Sequence, residues 1–273
     1  MNRIWIIVIS VALITATVSC NGNRPASSFY QAQASTATQP DSRKAPVLYE
    51  LPAPLTDRPE QILRRKGYTV SYNSETRTPN WVAWHLTKSH TYGSAQRYQE
   101  KFIEDTDVKA PRATDSDYYN SRYDRGHMCP AGDNKWDMQA MTESFLFTNI
   151  CPQNHGLNKY EWNELEIKCR DWARLLGAID IVCGPLYTSK GEQKTIGRNK
   201  VWVPDAFFKV VLCRQGKPRA IGFIYKNRGQ KQDIMEAVRS VDKIEALTGI
   251  DFFPALDDKT EAYVEASAKL SDW

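Results

Sequence analysis

One ten-residue segment concentrates residue types that can carry out acid–base and anion chemistry. It reads DRGHMCPAGD and contains His127, one of only four histidines in the 273-residue chain. A neutral imidazole accepts a proton near neutral pH, because its ordinary pKa is about 6.5. Arg125 offers a forked donor suited to phosphate oxygens, and Gly126 permits close backbone approach. The segment indicates a histidine general base beside an anionic substrate, although a lone histidine is more often structural.

A zinc site is a second interpretation of the same region. His127, Cys129, Cys151 and His155 together form a set of two cysteines and two histidines, which is a common zinc donor set. Their spacing differs from that of common zinc fingers, in which each pair of ligands lies close together in sequence. A disulfide between Cys129 and Cys151 is an equally good use of the two thiols outside the cytosol. The residues alone leave these alternatives open.

The segment NHGLNKYEWNELE offers ligands for a different metal. If Asn158 begins a helix, Glu166 lies about two turns later, ~12 Å along the axis. An asparagine oxygen can bind a hard cation such as Mg²⁺, which keeps most of its own waters. Glu166 is then too far to share the ion but can hydrogen-bond one of those waters. Asn149, at the end of the preceding apolar run, can reach the same pocket.

Hydrophobic patterns indicate the elements that must position these residues. Buried or alternating strands are predicted for residues 68–87 (two strands around a turn), 178–187, 206–213 and 219–227. Helical spacing predicts a helix over residues 159–176, stopped by Gly177, and an amphipathic helix from about Lys231 to Thr248. Strands and helices interleave irregularly and no βαβ glycine fingerprint is present. The pattern predicts an α+β fold with an antiparallel sheet.

Composition is that of a soluble globular protein. Hydrophobic residues make up 41% of the chain and charged residues 25%, which are ordinary values. The formal charge is +4, and removal of the first 19 residues, where Arg3 is the only charged residue, leaves +3. This mild basic excess permits a polyanionic partner without requiring one.

The first 45 residues have the pattern of an export segment and a linker. MNRIWIIVISVALITATVSC has one early positive charge, a short apolar run and small residues before Cys20, which is typical of a secretory signal. The ending TVSC resembles a bacterial lipobox. We therefore predict a signal peptide over 1–19, lipidation of Cys20 and a flexible tether over 20–45. The protein would be an exported lipoprotein, anchored by its lipid to the envelope membrane on the periplasmic side or at the cell surface, and otherwise secreted.

Three sequence blocks, taken together, resemble the signature of the DNA/RNA non-specific endonuclease family, the ββα-metal or His-Me finger nucleases. They are DRGHMCPAGD, FTNICPQ and LNKYEWNELE. The similarity continues through NWVAWHLT, CGPLY, VWVPDAFFKVVL and VDKIEALTGIDFFPAL, and so covers most of the chain after the tether. Departures are small: Gly132 replaces the more usual alanine, and Met128 and Cys129 replace polar or small residues.

The resemblance implies a fold and a metal centre. Residues 46–273 would form an α+β domain with a central antiparallel sheet flanked by helices and a ββα-metal finger. His127 would match the general base and Asn158 the single protein ligand of Mg²⁺, in whose place Mn²⁺ can serve. Glu166 would match the residue that orients a water molecule on that ion.

The resemblance also implies groups that bind substrate. Arg125 and Asn149 would match residues that bind phosphate and shape the pocket, while Asp124 would support them. The family uses a further upstream arginine on the substrate, and here both Arg97 and Lys101 lie in the corresponding region.

The implied activity is Mg²⁺-dependent hydrolysis of DNA and RNA to 5′-phosphate products. Two alternatives stand beside it. One is a non-catalytic lipoprotein that binds nucleic acid or another polymer, and the other is a zinc-stabilised binding domain. The sequence permits a homodimer, but no segment indicates one.

Overall fold

The computed structural model describes residues 47–97, 100–188 and 191–273. Residues Pro46–Trp273 form one compact unit. The predicted signal peptide, Cys20 and the tether lie outside the described residues. Within the described ranges, no helix is both long enough and apolar enough to cross a membrane.

A seven-stranded antiparallel sheet forms the centre of this unit. The strands of the described residues are β1 (Gln61–Arg64), β2 (Thr69–Asn73), β3 (Thr78–Thr87), β4 (Asp124–His127), β5 (Ile150–Gln153), β6 (Ala178–Leu186), β7 (Thr195–Ile196), β8 (Val201–Trp202), β9 (Ala206–Cys213), β10 (Arg219–Lys226) and β11 (Val238–Arg239). The central sheet has the order β1-β2-β3-β6-β9-β10-β11, and its neighbouring strands pair antiparallel. Two short hairpins, β4 with β5 and β7 with β8, lie outside it.

Helices cover both faces of the central sheet. The α-helices of the described residues are α1 (Asp115–Tyr118), α2 (Met138–Glu143), α3 (His155–Lys159), α4 (Glu161–Leu176), α5 (Ile234–Ala237), α6 (Val241–Thr248) and α7 (Asp258–Glu265). One hydrophobic cluster joins α4 to one face, and a second joins α6 and α7 to the other. The predicted α+β fold, with a central antiparallel sheet flanked by helices, is confirmed.

The central strand β9 shows why these strands are nearly continuous apolar runs in the sequence. Phe207 and Val211 pack in the cluster with α4, whereas Phe208 and Val210 pack in the cluster with α6 and α7. Successive side chains of a strand point to opposite faces, and here both faces are covered. Every residue of β9 is therefore buried, including the charged Lys209.

Two helix predictions were wrong in their extent. The helix predicted to begin near Asn158 is two helices, because Tyr160 has φ −112° and ψ −90° and separates α3 from α4. The helix predicted from Lys231 to Thr248 is interrupted by β11. Val238 and Arg239 leave the helical path because they pair with β10 and form the edge strand of the sheet, an interaction that a helical periodicity does not report.

Candidate active site

A hairpin followed by two helices presents the histidine. Strands β4 and β5 pair antiparallel, so that His127 lies opposite Ile150, and α3 and α4 follow β5 directly. Gly126 is required in this hairpin, because a Cβ there would overlap the side chain of Gln153. The arrangement is the predicted ββα finger.

A cleft of about 540 Å³ opens where this finger meets the preceding loops. It brings together five of the predicted site residues: Arg97, Arg125, His127, Asn158 and Glu166. Basic side chains outnumber acidic ones along its walls. The basic residues that line it are Arg97, Arg125, Lys135, Lys159 and Arg170, against the carboxylates Asp124 and Glu166. Such a surface attracts polyanions.

His127 is held as a neutral imidazole. The residue is 9% exposed, and Phe145 packs edge-on against its ring at 4.8 Å between centroids. Burial, helped by the nearby charge of Arg97, lowers the pKa of His127 to about 3. Its Nε2 is sealed from solvent and has no hydrogen-bond partner among the described residues. Nδ1 is therefore the nitrogen that faces the cleft and can accept a proton.

The helix α4 also holds the backbone of His127 in place. The indole N–H of Trp162 donates to the backbone carbonyl of His127 at 3.3 Å. Glu166 follows Trp162 by one helical turn and lines the cleft. Burial raises the pKa of Glu166 to about 7, although the charges of Lys209 and Arg170 act in the opposite direction. The cleft therefore contains a base that stays neutral and a carboxyl group that ionises near neutral pH.

Asp124 orients Asn158. The carboxylate oxygen Oδ2 of Asp124 accepts from Asn158 Nδ2 at 2.9 Å and lies 2.9 Å from Nδ1 of His155. This use of the amide nitrogen leaves Asn158 Oδ1 without a partner among the described residues. One carboxylate oxygen of Asp124 thus contacts both Asn158 and His155.

The donor set fits a hard divalent cation. Asn158 supplies one neutral oxygen at the cleft, and its amide is turned by Asp124 so that this oxygen is available. Mg²⁺ prefers oxygen ligands and keeps several waters, so a single protein oxygen in an open cleft suits it.

Arg125 is oriented before any substrate arrives. Its Nε donates to Asp115 Oδ1 at 2.6 Å and its Nη2 donates to the Asp115 carbonyl at 3.1 Å. The guanidinium also lies over the rings of Phe102 and Tyr118, at 5.7 and 5.4 Å from the centroids. Asp115 is exposed and partly offsets the charge, so Arg125 is a positioned but weakened anion donor.

Arg97 and Lys101 are separated by the structure. Arg97 lines the cleft, and its charge acts on both His127 and Glu166. Lys101 is exposed and is not part of the cleft lining. Of the two basic residues, Arg97 is therefore the one that lines the cleft.

Asn149 does not reach the cleft, contrary to expectation. It is fully buried, its Oδ1 accepts from the Cys129 N–H at 2.9 Å, and its Nδ2 donates to the carbonyls of Cys129 and Ser144 at 2.9 and 2.8 Å. The amide is fully used by backbone groups and has no donor left for phosphate. It holds the chain that leaves His127, so the contacts of Asn149 position this segment from beneath the cleft.

The zinc set and the disulfide are both absent from the described residues. Cys129 and Cys151 are free and lie in the hydrophobic cluster beneath α4. Their thiols, His127 and His155 do not provide three ligand atoms within reach of one ion in the described ranges. His155 instead pairs with Asp124. Both interpretations fail because the cysteines point into the core while the histidines face the cleft.

Lys209 is a functional candidate that the motif analysis missed. It is fully buried on β9, and its Nζ lies 4.4 Å from the ring centroid of Trp162 and 5.3 Å from that of Trp84. Among the described residues Nζ has no hydrogen-bond partner. The signal was visible as one charge inside the apolar run AFFKVVLC. This buried cation lies under the helix that carries Glu166.

Asp133, the last residue of the DRGHMCPAGD block, was also overlooked. It is 3% exposed, and its two oxygens accept from Trp84 Nε1 at 3.0 Å and from Arg170 Nη1 at 2.9 Å. Arg170 lines the cleft, so Asp133 fixes one of its basic walls.

Comparisons with known proteins show which family the chain is similar to. The sequence model of the family DNA/RNA non-specific endonuclease matches residues 48–259. The mitochondrial nuclease EXOG of Xenopus laevis is 38% identical over 206 residues, which cover 70% of this chain and 58% of the relative. The mitochondrial nuclease EXOG of Mus musculus is 36% identical over 241 residues, which cover 82% of this chain and 65% of the relative. The chain thus spans about three fifths of the length of these relatives.

A solved structure shares the fold. The crystal structure of the EndoG/EndoGI complex, described as showing the mechanism of EndoG inhibition, contains a chain with a TM-score of 0.70 and 27% sequence identity. The match covers 74% of this chain and 89% of that one.

One prediction is overturned by these comparisons. The expected location, an exported lipoprotein of a bacterial envelope, is contradicted because the EXOG relatives are named as mitochondrial nucleases. Membrane attachment through Cys20 depended on that export and loses its basis with it.

The matched segment contains the whole ββα finger and every residue of the cleft described above. The chain belongs to the DNA/RNA non-specific endonuclease family.

Proposed function

We propose that this protein is a divalent-cation-dependent nuclease that hydrolyses phosphodiester bonds in DNA and RNA. The observation that carries the proposal is the cleft itself. A neutral imidazole on His127, an unpartnered amide oxygen on Asn158 and the carboxyl group of Glu166 open onto one basic surface. Membership of a nuclease family supports the same chemistry.

The substrate is held through its phosphates. Arg97 and Arg125 donate to the non-bridging oxygens of the bond to be cut, since both line the cleft beside His127. The remaining basic side chains extend this contact along the strand. Because they meet the backbone and not the base edges, cleavage has little sequence selectivity.

His127 acts as the general base. Its Nδ1 accepts a proton from the attacking water, and the neutral form is already present at pH 7 because burial keeps the pKa low. A pKa near 3 is too low for the best proton acceptor at that pH. A phosphate bound to Arg97 offsets the second cause of the depression, so substrate binding raises the pKa of His127 toward a more useful range.

Asn158 would hold the cation, Mg²⁺ or in its place Mn²⁺. When bound there, the cation supplies positive charge beside the phosphate and the departing 3′-oxygen. Glu166, once ionised, accepts a hydrogen bond from a water in the cleft and so helps to orient it. Hydrolysis leaves a 5′-phosphate, and the departing 3′-oxygen takes a proton from water to become a 3′-hydroxyl.

Replacement of the base tests the proposal. The full chain is assayed on plasmid DNA and on RNA with Mg²⁺, beside its His127→Ala variant. We expect the variant to lose about 10²–10⁴-fold in rate, the usual contribution of a general base. Chelation with EDTA should abolish wild-type cleavage, and Mg²⁺ should restore it.

The outcomes separate the nuclease from its alternative. Wild-type protein that retains DNA in a gel-shift assay but forms no product with any divalent cation would support a binding domain. Equal cleavage by wild type and His127→Ala would remove His127 from the mechanism.

A further inference from the structure

Three carboxylates converge on the face of the sheet opposite α4. Asp242 and Glu245 lie on α6, Glu265 lies at the end of α7, and each offers an oxygen within 4.8 Å of the others. The two helices pack on this face through Val241 and Val264. We call the three residues the α6–α7 carboxylate cluster.

One member of the cluster is buried without a partner. Glu265 is 6% exposed, and its Oε1 is sealed from solvent with no hydrogen-bond partner among the described residues. An isolated ionised carboxylate is costly to bury, and native structures retain such groups only with a compensating partner. An oxygen of the same carboxyl group lies within 4.8 Å of the other two carboxylates, which makes its position more unfavourable.

Protein cations do not compensate the cluster. Within the described ranges, none of the three carboxylates forms an ion pair. Glu245 is held in place by the backbone N–H of Phe252, which donates to its Oε1 at 2.8 Å. Burial and the charges of the neighbouring acids raise the pKa of Glu265 to about 8. Those acids are Glu245, Glu261, Asp242 and Asp251.

A bound cation accounts for all of these features together. Protonation of Glu265 would supply a single donor and leave the other two carboxylates repelling each other. A divalent ion at their meeting point would pair with all three charges. Three carboxylates provide up to six oxygens in adaptable geometry, which suits Ca²⁺, whereas Mg²⁺ is usually bound by one or two carboxylates.

We propose that Asp242, Glu245 and Glu265 form a second cation site of the calcium type, which ties α6 to α7 on the face of the sheet opposite α4. Asp242 is exposed and provides the route of entry. Water completes the coordination. The site is structural and independent of phosphodiester hydrolysis.

Thermal unfolding of the full chain tests the site without nucleic acid. Protein freed of metal with EDTA is titrated with CaCl₂ in an Asn158→Ala background, in which the ligand proposed for the catalytic cation is removed. At about ten times Kd, we expect Tm to rise by about 3–6 °C. Glu265→Gln should abolish most of this rise, and Asp242→Asn should reduce it.

A matched control and a metal-free measurement sharpen the test. Glu236→Gln, which removes an exposed acid on α5, should keep the full calcium response. Without metal, Glu265→Gln should melt no lower than its parent, because the repulsion between its carboxylate and the two neighbouring ones is gone.

Two results would overturn the site. One is no calcium-dependent rise in the Asn158→Ala background, and the other is an equal rise in Glu265→Gln. If Glu265→Gln does not fold, Asp242→Asn decides, because Asp242 is exposed and its side chain is not needed for packing. Failure here leaves the nuclease assignment untouched, since no cleavage is measured.

Discussion

At the scale of single residues, the cleft contains two ionisable groups whose pKa values are shifted in opposite directions by burial. Desolvation disfavours the charged form of each, so it lowers the pKa of His127 and raises that of Glu166. The histidine is therefore neutral across the physiological range. Glu166 is the group whose ionisation changes near pH 7.

This displacement predicts the pH dependence of cleavage. Since an ionised Glu166 accepts a stronger hydrogen bond from water than its protonated form does, kcat/KM should rise as pH increases through about 7. The Glu166→Gln variant should cleave more slowly, and its kcat/KM should not show this rise with pH. Rates on plasmid DNA between about pH 5.5 and 9 at fixed Mg²⁺ would measure it. A wild-type profile that is flat across this range would show that the ionisation of Glu166 does not limit the rate of cleavage.

Asn149 acts on its neighbours and not on substrate. Asn149→Ala leaves two carbonyls and one N–H of a fully buried segment without partners. We expect a loss of about 2–3 kcal/mol in the free energy of unfolding, measured with urea, together with slower cleavage. The salt dependence of DNA binding should stay unchanged. A reduced salt slope would instead indicate a phosphate contact.

At the scale of elements, the packing of α4 on β9 links a buried cation to the cleft. The rings of Trp84 and Trp162 lie beside the ammonium of Lys209. Their indole N–H groups donate outward, to Asp133 and to the carbonyl of His127. These two tryptophans thus contact Lys209 through their rings, and through their N–H groups they contact Asp133 and the backbone of His127.

Lys209 should therefore set where Glu166 titrates. Its charge is the largest of those that lower the pKa of Glu166 against burial. In Lys209→Met, we expect the acidic limb of cleavage to move to higher pH, with reduced activity at pH 7. Circular dichroism and Tm would show whether the variant is folded. If the variant is folded and its cleavage rate rises over the same pH range as that of the wild type, Lys209 has a packing role only.

Element identity followed well from the sequence, but element ends did not. The apolar runs of β6, β9 and β10 and the helical spacing within α4 predicted those elements. The break at Tyr160 and the strand β11 were missed. The strand β11 arises from its pairing with β10, an interaction that a local period does not contain.

At the scale of the whole molecule, charge and chemistry are divided between the two faces of the sheet. The basic cleft and α4 lie on one face, and the α6–α7 carboxylate cluster lies on the other. The modest net charge of +4 conceals this separation. Nucleic acid should bind the face that carries the cleft, because the local electrostatic field of the protein steers a polyanion more than the net charge does.

The basic face predicts a salt-dependent affinity to which Arg97 contributes. Arg97→Ala should weaken binding to every DNA sequence alike and reduce the slope of log K against log salt by about one. Lys101→Ala is the matched control, because Lys101 is exposed nearby but does not line the cleft. Filter binding in Ca²⁺ or EDTA, at several salt concentrations, measures both. Equal slopes for the two variants would exclude a phosphate contact by Arg97.

The sequence by itself determined the class of chemistry and the class of fold. The three blocks resemble a nuclease signature, and that resemblance implies which residues are the base, the phosphate donor and the cation ligand, whereas residue type alone left a zinc site or a structural histidine open. Periodicity and apolar runs then indicate an antiparallel sheet with covering helices.

Only the tertiary structure decided which of these side chains meet. It turned Asn149 inward, sent Cys129 and Cys151 into the core, placed Lys209 beneath Glu166 and gathered carboxylates from two helices. The physical reason is common to all four. A side chain's partners, burial and pKa are set by residues far away in sequence, and these meet only when the sheet and helices pack.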